Sequence, residues 1–148
     1  MVGDYSLTSA TPCCAAGTHG FLLSGGQFST FDVPDSTLTY AGAINPQGDI
    51  AGAYSTSASG GFLLSDGDLT LLDVPGATLT NTLGINERGD MVGRYVAGGV
   101  SHGYLLTGGR CRTASYPRSG QSSTAPCCRR RAHSWRGQSP CPCPADPK

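Results

Sequence analysis

Apolar positions over the first two thirds of the chain come in short runs, alternate with polar residues inside each run, and stop at Gly, Pro, Asn or Asp. That is the period-2 pattern of half-buried strands separated by turns. It predicts strands at Gly20–Leu23, Phe28–Val33, Thr37–Ile44 and Asp49–Tyr54. The same four recur at Gly61–Leu64, Leu69–Val74, Thr78–Ile85 and Asp90–Tyr95. "SGG" and "SDGD" end the first strand of each set. Pro34 and Pro75, which cannot donate to a ladder, end the second. "NPQG" and "NERG" join the third strand to the fourth with the Asn and Gly of a tight hairpin. No window sustains the i, i+3, i+4 spacing of an amphipathic helix, because Gly or Pro interrupts each one. The expected fold is all-β.

The recurrence is an internal repeat. A shift of 41 lays Gly20–Gly60 on Gly61–Ser101 without a gap, with 18 identical positions. A third copy opens at "HGYLLTGG", His102–Gly109, and "VGDY" at Val2–Tyr5 matches "VGRY" at Val92–Tyr95. The reading is the end of a partial repeat with a Cys-containing insertion (1–19), repeat units at 20–60 and 61–102, the start of a third at 103–109, and a tail at 110–148. Four antiparallel strands in about 41 residues is the size of a β-propeller blade. Too few units are present to close a propeller, so a set of incomplete, blade-like units is expected, as in a fragment of a longer array. Open strand edges make self-association an expected property.

Charge divides the chain where the pattern does. The formal net charge is zero, yet residues 1–109 hold nine acidic side chains and two basic ones, whereas 110–148 hold eight basic ones and Asp146. The tail, "RCRTASYPRSGQSSTAPCCRRRAHSWRGQSPCPCPADPK", contains no Leu, Ile, Val, Phe or Met. A segment so poor in apolar side chains is expected to be disordered. Loss of pattern in mid-unit, with Arg, Pro, Ser and Cys bias, reads as out-of-frame translation. A basic tail for an acidic partner is the alternative. No stretch approaches the length of a membrane span, and the first residues show neither a basic n-region nor an apolar h-region.

The order "HGFLL", "G-G-x-F-x-T-x-D-V-P", "T-L-T-x-A-x-x-I-N-x-x-G-D-I-x-G-x-Y" and again "HGYLL" resembles the HAF repeat, an extracellular repeat of bacterial proteins. The resemblance covers residues 2–109, apart from an insertion at about 6–18. It implies an exported or surface-associated β-repeat protein with no established catalytic activity. By analogy with propeller-like scaffolds, which bind through loops on one face, a structural or adhesive role with a surface protein or glycan as partner is expected. The namesake His-Gly-Phe is intact only at His19-Gly20-Phe21; the other copies read Gly60-Gly61-Phe62 and His102-Gly103-Tyr104.

Candidate chemistry is sparse. All seven Cys (Cys13, Cys14, Cys111, Cys127, Cys128, Cys141 and Cys143) lie outside the two full repeats. There is no C-x-x-C pair. His133 near Cys127 and Cys128 does not make finger spacing, so incidental or promiscuously oxidised thiols are expected rather than a metal site. Asp32 and Asp73, and Asp49 and Asp90, recur with the repeat beside turns, where carboxylates serve as local caps. Acid–base pairs and oxygen-rich calcium sites are the functional options for them, but no calcium-loop motif is present. His19 and His102 have no nucleophile elbow nearby, and Ser101 beside His102 is mere adjacency. "RRR" at Arg129–Arg131 with Trp135 offers at most salt-sensitive, nonspecific contact with nucleic acid. No catalytic residue, metal ligand or cofactor is therefore assigned. The sequence favours a binding or structural repeat protein. Part of a propeller-type enzyme that needs further blades, or a frameshifted product with no function of its own, are the alternatives.

Overall fold

A computed structural model of the chain describes residues 1–8, 16–108, 110–114 and 128–131, with 113–114 and 128–131 described as backbone only. The described residues form twelve strands and no helix. In chain order they are β1 (Val2–Leu7), β2 (Gly17–Ser24), β3 (Gln27–Phe31), β4 (Leu38–Ile44), β5 (Ile50–Ser55), β6 (Ser59–Ser65), β7 (Asp68–Asp73), β8 (Leu79–Ile85), β9 (Met91–Ala97), β10 (Val100–Thr107), β11 (Arg110–Ala114) and β12 (Cys128–Arg131). All belong to one mixed sheet.

That sheet is three antiparallel runs joined by minimal links. The first run is β1–β2–β3, the second β4–β5–β6–β7 with β12 on the free edge of β7, and the third β8–β9–β10–β11. A single parallel pairing joins each run to the next, Thr18 with Leu38 and Ser59 with Leu79. Registers repeat with the sequence offset: Leu38 faces Ser55 in one run and Leu79 faces Val96 in the next, and bulges fall at Ala41/Ala43 and Thr82/Gly84. The hydrogen-bonded runs nevertheless differ from the expected units. Residues 20–60 are divided at the Pro34 turn, so the middle run takes its first two strands from that unit and its last two from 61–102. The cause is local. The segment after β3 leaves the sheet edge at Val33 and Pro34, where Thr39 Oγ1 accepts the Val33 N–H at 3.0 Å, and Thr80 Oγ1 accepts the Val74 N–H at 3.2 Å. Both threonines are buried, which explains the second Thr of each "T-L-T".

Turn chemistry fixes the remaining registers. Gly25 and Gly26, Asp66 and Gly67, and Gly98 and Gly99 have positive φ at both positions, as a type I′ hairpin requires. The "NPQG" and "NERG" hairpins use Gly48 (φ 93) and Gly89 (φ 75) after a turn closed by the Gly N–H donating to the Asn carbonyl.

Two apolar clusters hold the runs against each other. Phe31 and Val33, with Val2 and Leu22, pack on Ala41, Ile50, Tyr54, Phe62 and Leu69 of the middle run. On its other face, Ala51, Leu72 and Val74 meet Met91, Tyr95, Tyr104, Leu106 and Cys111 of the third. Consecutive residues Ile50 and Ala51 thus enter different clusters, as strand geometry demands, and β5 is buried along nearly all its length.

Part of the tail departs from expectation. Arg110–Ala114 and Cys128–Arg131 are strands, pairing with β10 and β7. Backbone ladders need no apolar side chains, and among the described side chains of β11 Cys111 faces inward: it is 2% exposed, disulfide-bonded and part of the cluster that joins the middle and third runs. It stands where Phe28 and Leu69 stand in the other runs. Cys111 is thus an oxidised thiol that also packs in the core. Cys13, Cys14, Cys127, Cys141, Cys143, His133 and Trp135 lie outside the described residues, and Cys128–Arg131 are described only as strand backbone.

Candidate functional site

The repeated Asn and Asp of "I-N-x-x-G-D" build one end of the molecule. Asn45 Oδ1 accepts the Asp49 N–H at 2.9 Å, while its Nδ2 donates to Asp49 Oδ2 at 2.8 Å. Asn86 and Asp90 repeat this at 2.9 and 3.0 Å. The carboxylate then reaches the end of a later strand: Ser65 donates to Asp49 Oδ1, and Thr107 donates to Asp90 Oδ1 at 2.6 Å. Asp49 and Asp90 therefore brace hairpins, with the Asn amide rather than the carboxylate capping the backbone N–H. The two hairpins are also tied together, since Asn45 Nδ2 donates to the Asn86 carbonyl at 3.2 Å.

Between them lies an open cleft of about 390 Å³ whose walls are Ile44, Asn45 and Pro46 on one hairpin and Ile85, Asn86, Glu87 and Arg88 on the other. Ile44 and Ile85 are the aliphatic part of its lining; the exposed Glu87 and Arg88 add one charge of each sign. Arg88 Nε donates to Asp90 Oδ2 at 3.3 Å, and its side chain is largely exposed. Hydrogen bonds from Thr107 and Asn86, helped by Arg88, hold the Asp90 carboxyl below the usual carboxylate range. A depressed carboxyl contributes stability that is fully present above its unfolded pKa and lost as pH falls through the folded one. The protection factors of the Arg88 and Asp90 amides, that is exchange relative to the unstructured chain at the same pH, are therefore expected to fall in acid below the ordinary carboxylate range, and Asp90→Asn should remove that pH dependence. An unchanged acid response in the variant would contradict the assignment.

The histidines form a second constellation. His19, 7% exposed, lies in mid-strand on β2, its Nδ1 2.9 Å from Asp32 Oδ2 and its ring 5.3 Å from that of Tyr5. Asp32 thus pairs with His19 across the sheet, which replaces the expected turn cap. His102 stacks on Tyr95 with ring centroids 5.0 Å apart, and its Nδ1 is buried without a hydrogen-bond partner among the described residues. Where the His is missing, a Cβ on Gly60 would fall 2.8 Å from the Tyr54 hydroxyl and 2.6 Å from Asp73 Oδ1, so those two side chains fill the space. Among the described residues, Tyr, His and Asp come together at only one of these positions, and Ser101, next to His102 on β10, points to the opposite face of the sheet. Among the described residues, no three His, Cys, Asp or Glu side chains gather as metal ligands, and no helix is long and apolar enough to cross a membrane.

Sequence reading passed over the Tyr–His stack and the Thr82–Tyr104 contact. The signal for the first was present: the "G-x-Y" tyrosine faces the "HG" histidine across β1–β2 and β9–β10, Tyr5 with His19 and Tyr95 with His102. No family model, curated protein or solved structure matches the chain.

Proposed function

We propose that this chain is a non-enzymatic binding module made of HAF-type repeat units arranged as propeller-like blades, working at the bacterial surface through its hairpin end. The observation that carries this reading is the cleft between the "NPQG" and "NERG" hairpins. Its walls are braced by the Asn–Asp bonds, so the backbone is held in place while Glu87 and Arg88 stay exposed to meet a ligand. Apolar side chains with a few polar rim groups suit the ring face and hydroxyls of a surface glycan. The equal spacing of the registers in neighbouring runs supports the blade-like reading, and the sequence order of the motifs supports the family.

The test is binding of the full chain to immobilised acidic and neutral oligosaccharides, alongside Glu87→Ala and Arg88→Ala. Both substitutions lie on exposed rim positions, so the fold should persist while affinity for the bound class falls about tenfold, roughly 1.4 kcal/mol. Binding indifferent to both substitutions, or absent for every oligosaccharide, would overturn the proposal.

A further inference from the structure

The two end faces of the molecule are unlike each other, and each corresponds to one side of an interface already present inside it. In the interior, the middle run meets the first through Ile50, Phe62 and Leu69, and the third run meets the middle one through Met91, Tyr104 and Cys111. By register, the first run carries Met1, Phe21 and Phe28 at these places. Ile50, Leu69, Met91 and Cys111 are at most 5% exposed, whereas Met1 and Phe28 are each 68% exposed. Phe21 and Phe28 lie with ring centroids 5.5 Å apart, forming an aromatic pair on this outer face.

The opposite end shows the converse. Ala51 and Leu63 of the middle run pack against the third run, and Ala51 is fully buried. Their counterparts on the third run, Val92 and Leu105, are 50% and 38% exposed, and Leu83 beside them is 49% exposed. A cleft of about 530 Å³ runs along this face, with Val92, Leu105 and Ile85 in its walls beside Asn86, Arg88, Asp90 and Thr107. Soluble monomers seldom leave large apolar side chains grouped in this way on two faces.

We infer that a second copy of this chain docks head to tail, its Met1–Phe21–Phe28 face covering the apolar strip that Leu83, Val92 and Leu105 form on the first copy. The occupant follows from continuity: by register Met1, Phe21 and Phe28 stand where Ile50, Phe62 and Leu69 stand, and Val92 and Leu105 stand where Val2 and Leu22 of the first run pack on that surface. The contact uses different surfaces on the two partners, so it is heterologous and propagates into a ring or a stack according to the rotation per copy. It is a face-to-face contact argued from the end faces alone, although its cleft shares Ile85, Asn86 and Arg88 with the hairpin cleft.

Complementation between two blocked variants tests it. Phe28→Asp places a charge on one end face and Val92→Asp on the other; both positions are exposed, and a cooperative unfolding transition for each variant confirms that it folds, since assembly itself would stabilise the parent chain. The full chain should sediment as a concentration-dependent oligomer. Each variant alone should be monomeric, and an equimolar mixture should recover a dimer, because each supplies the end the other has lost. Phe28→Ser and Val92→Ser serve the same purpose if the aspartates disturb folding. A monomeric parent chain, a variant that still assembles, or a mixture that stays monomeric would overturn the proposal.

Discussion

Replacing Gly52 by alanine is expected to destabilise the protein by about 3 kcal/mol, the upper part of the range for overpacking a filled interior. Gly52 sits on β5, where the middle run is buried on both faces. A Cβ there would strike the Tyr40 carbonyl oxygen and fall 2.8 Å from Cε1 and Cζ of Phe62. The carbonyl belongs to the strand bulged between Ala41 and Ala43, and Phe62 is fully buried, so neither obstacle can move without opening a cluster. The same arrangement recurs at Gly93, against the Asn81 carbonyl and the Tyr104 ring, and at Gly3 against Phe21. The glycine of "G-x-Y" is thus the space into which the aromatic of "HGF" or "HGY" folds. Urea unfolding of Gly52→Ala measures the loss. Gly67→Asn is the control: its φ of +81° is one that Asn tolerates, and a Cβ meets nothing within 4 Å. Equal effects at the two positions would refute the packing account.

The strands were legible because their signals are local. Apolar alternation, "SGG", "SDGD" and "I-N-x-x-G-D" each act within a few residues, and β4 and β8 begin within one residue of the predicted starts. Division into runs was not legible, because it depends on what happens after Pro34 and Pro75. A repeat has no intrinsic first strand, and an offset of 41 is equally satisfied wherever the unit is cut. The hydrogen bonds cut it between β3 and β4 and between β7 and β8. The tail misled for a different reason. Composition reports the absence of a core-forming side chain set, but β11 extends an edge that already exists and places Cys111 inward. At the candidate site, the recurring Asp residues were correctly placed beside turns. Their true partners, Ser65, Thr107 and His19, are distant in sequence and carry no motif that links them.

Substitutions at Thr82 and Tyr104 are expected to be strongly non-additive. Thr82 Oγ1 and the Tyr104 hydroxyl are 2.7 Å apart in a buried contact between β8 and β10. The equivalent places in the middle run hold Ala41 and Phe62, both buried in one cluster. One run therefore pairs two hydroxyls where its neighbour pairs none, and neither run mixes the two. Thr82→Ala or Tyr104→Phe alone strands a buried hydroxyl and should cost about 1–3 kcal/mol. The double variant reproduces the Ala–Phe pair and should recover about 1 kcal/mol or more of the summed loss. Burial also pushes the Tyr104 phenol above its ordinary value, opposed by the bond from Thr82. A group with a raised folded pKa contributes stability that is fully present below its unfolded value, about 10 for tyrosine, and lost as pH rises through the folded one. Tyr104→Phe should therefore flatten the alkaline limb of the stability profile, whereas Thr82→Ala, which leaves the phenol buried without its partner, should keep that limb. Additive losses in the cycle, or an alkaline limb unchanged by Tyr104→Phe, would show that the two hydroxyls are not the coupled pair their geometry describes.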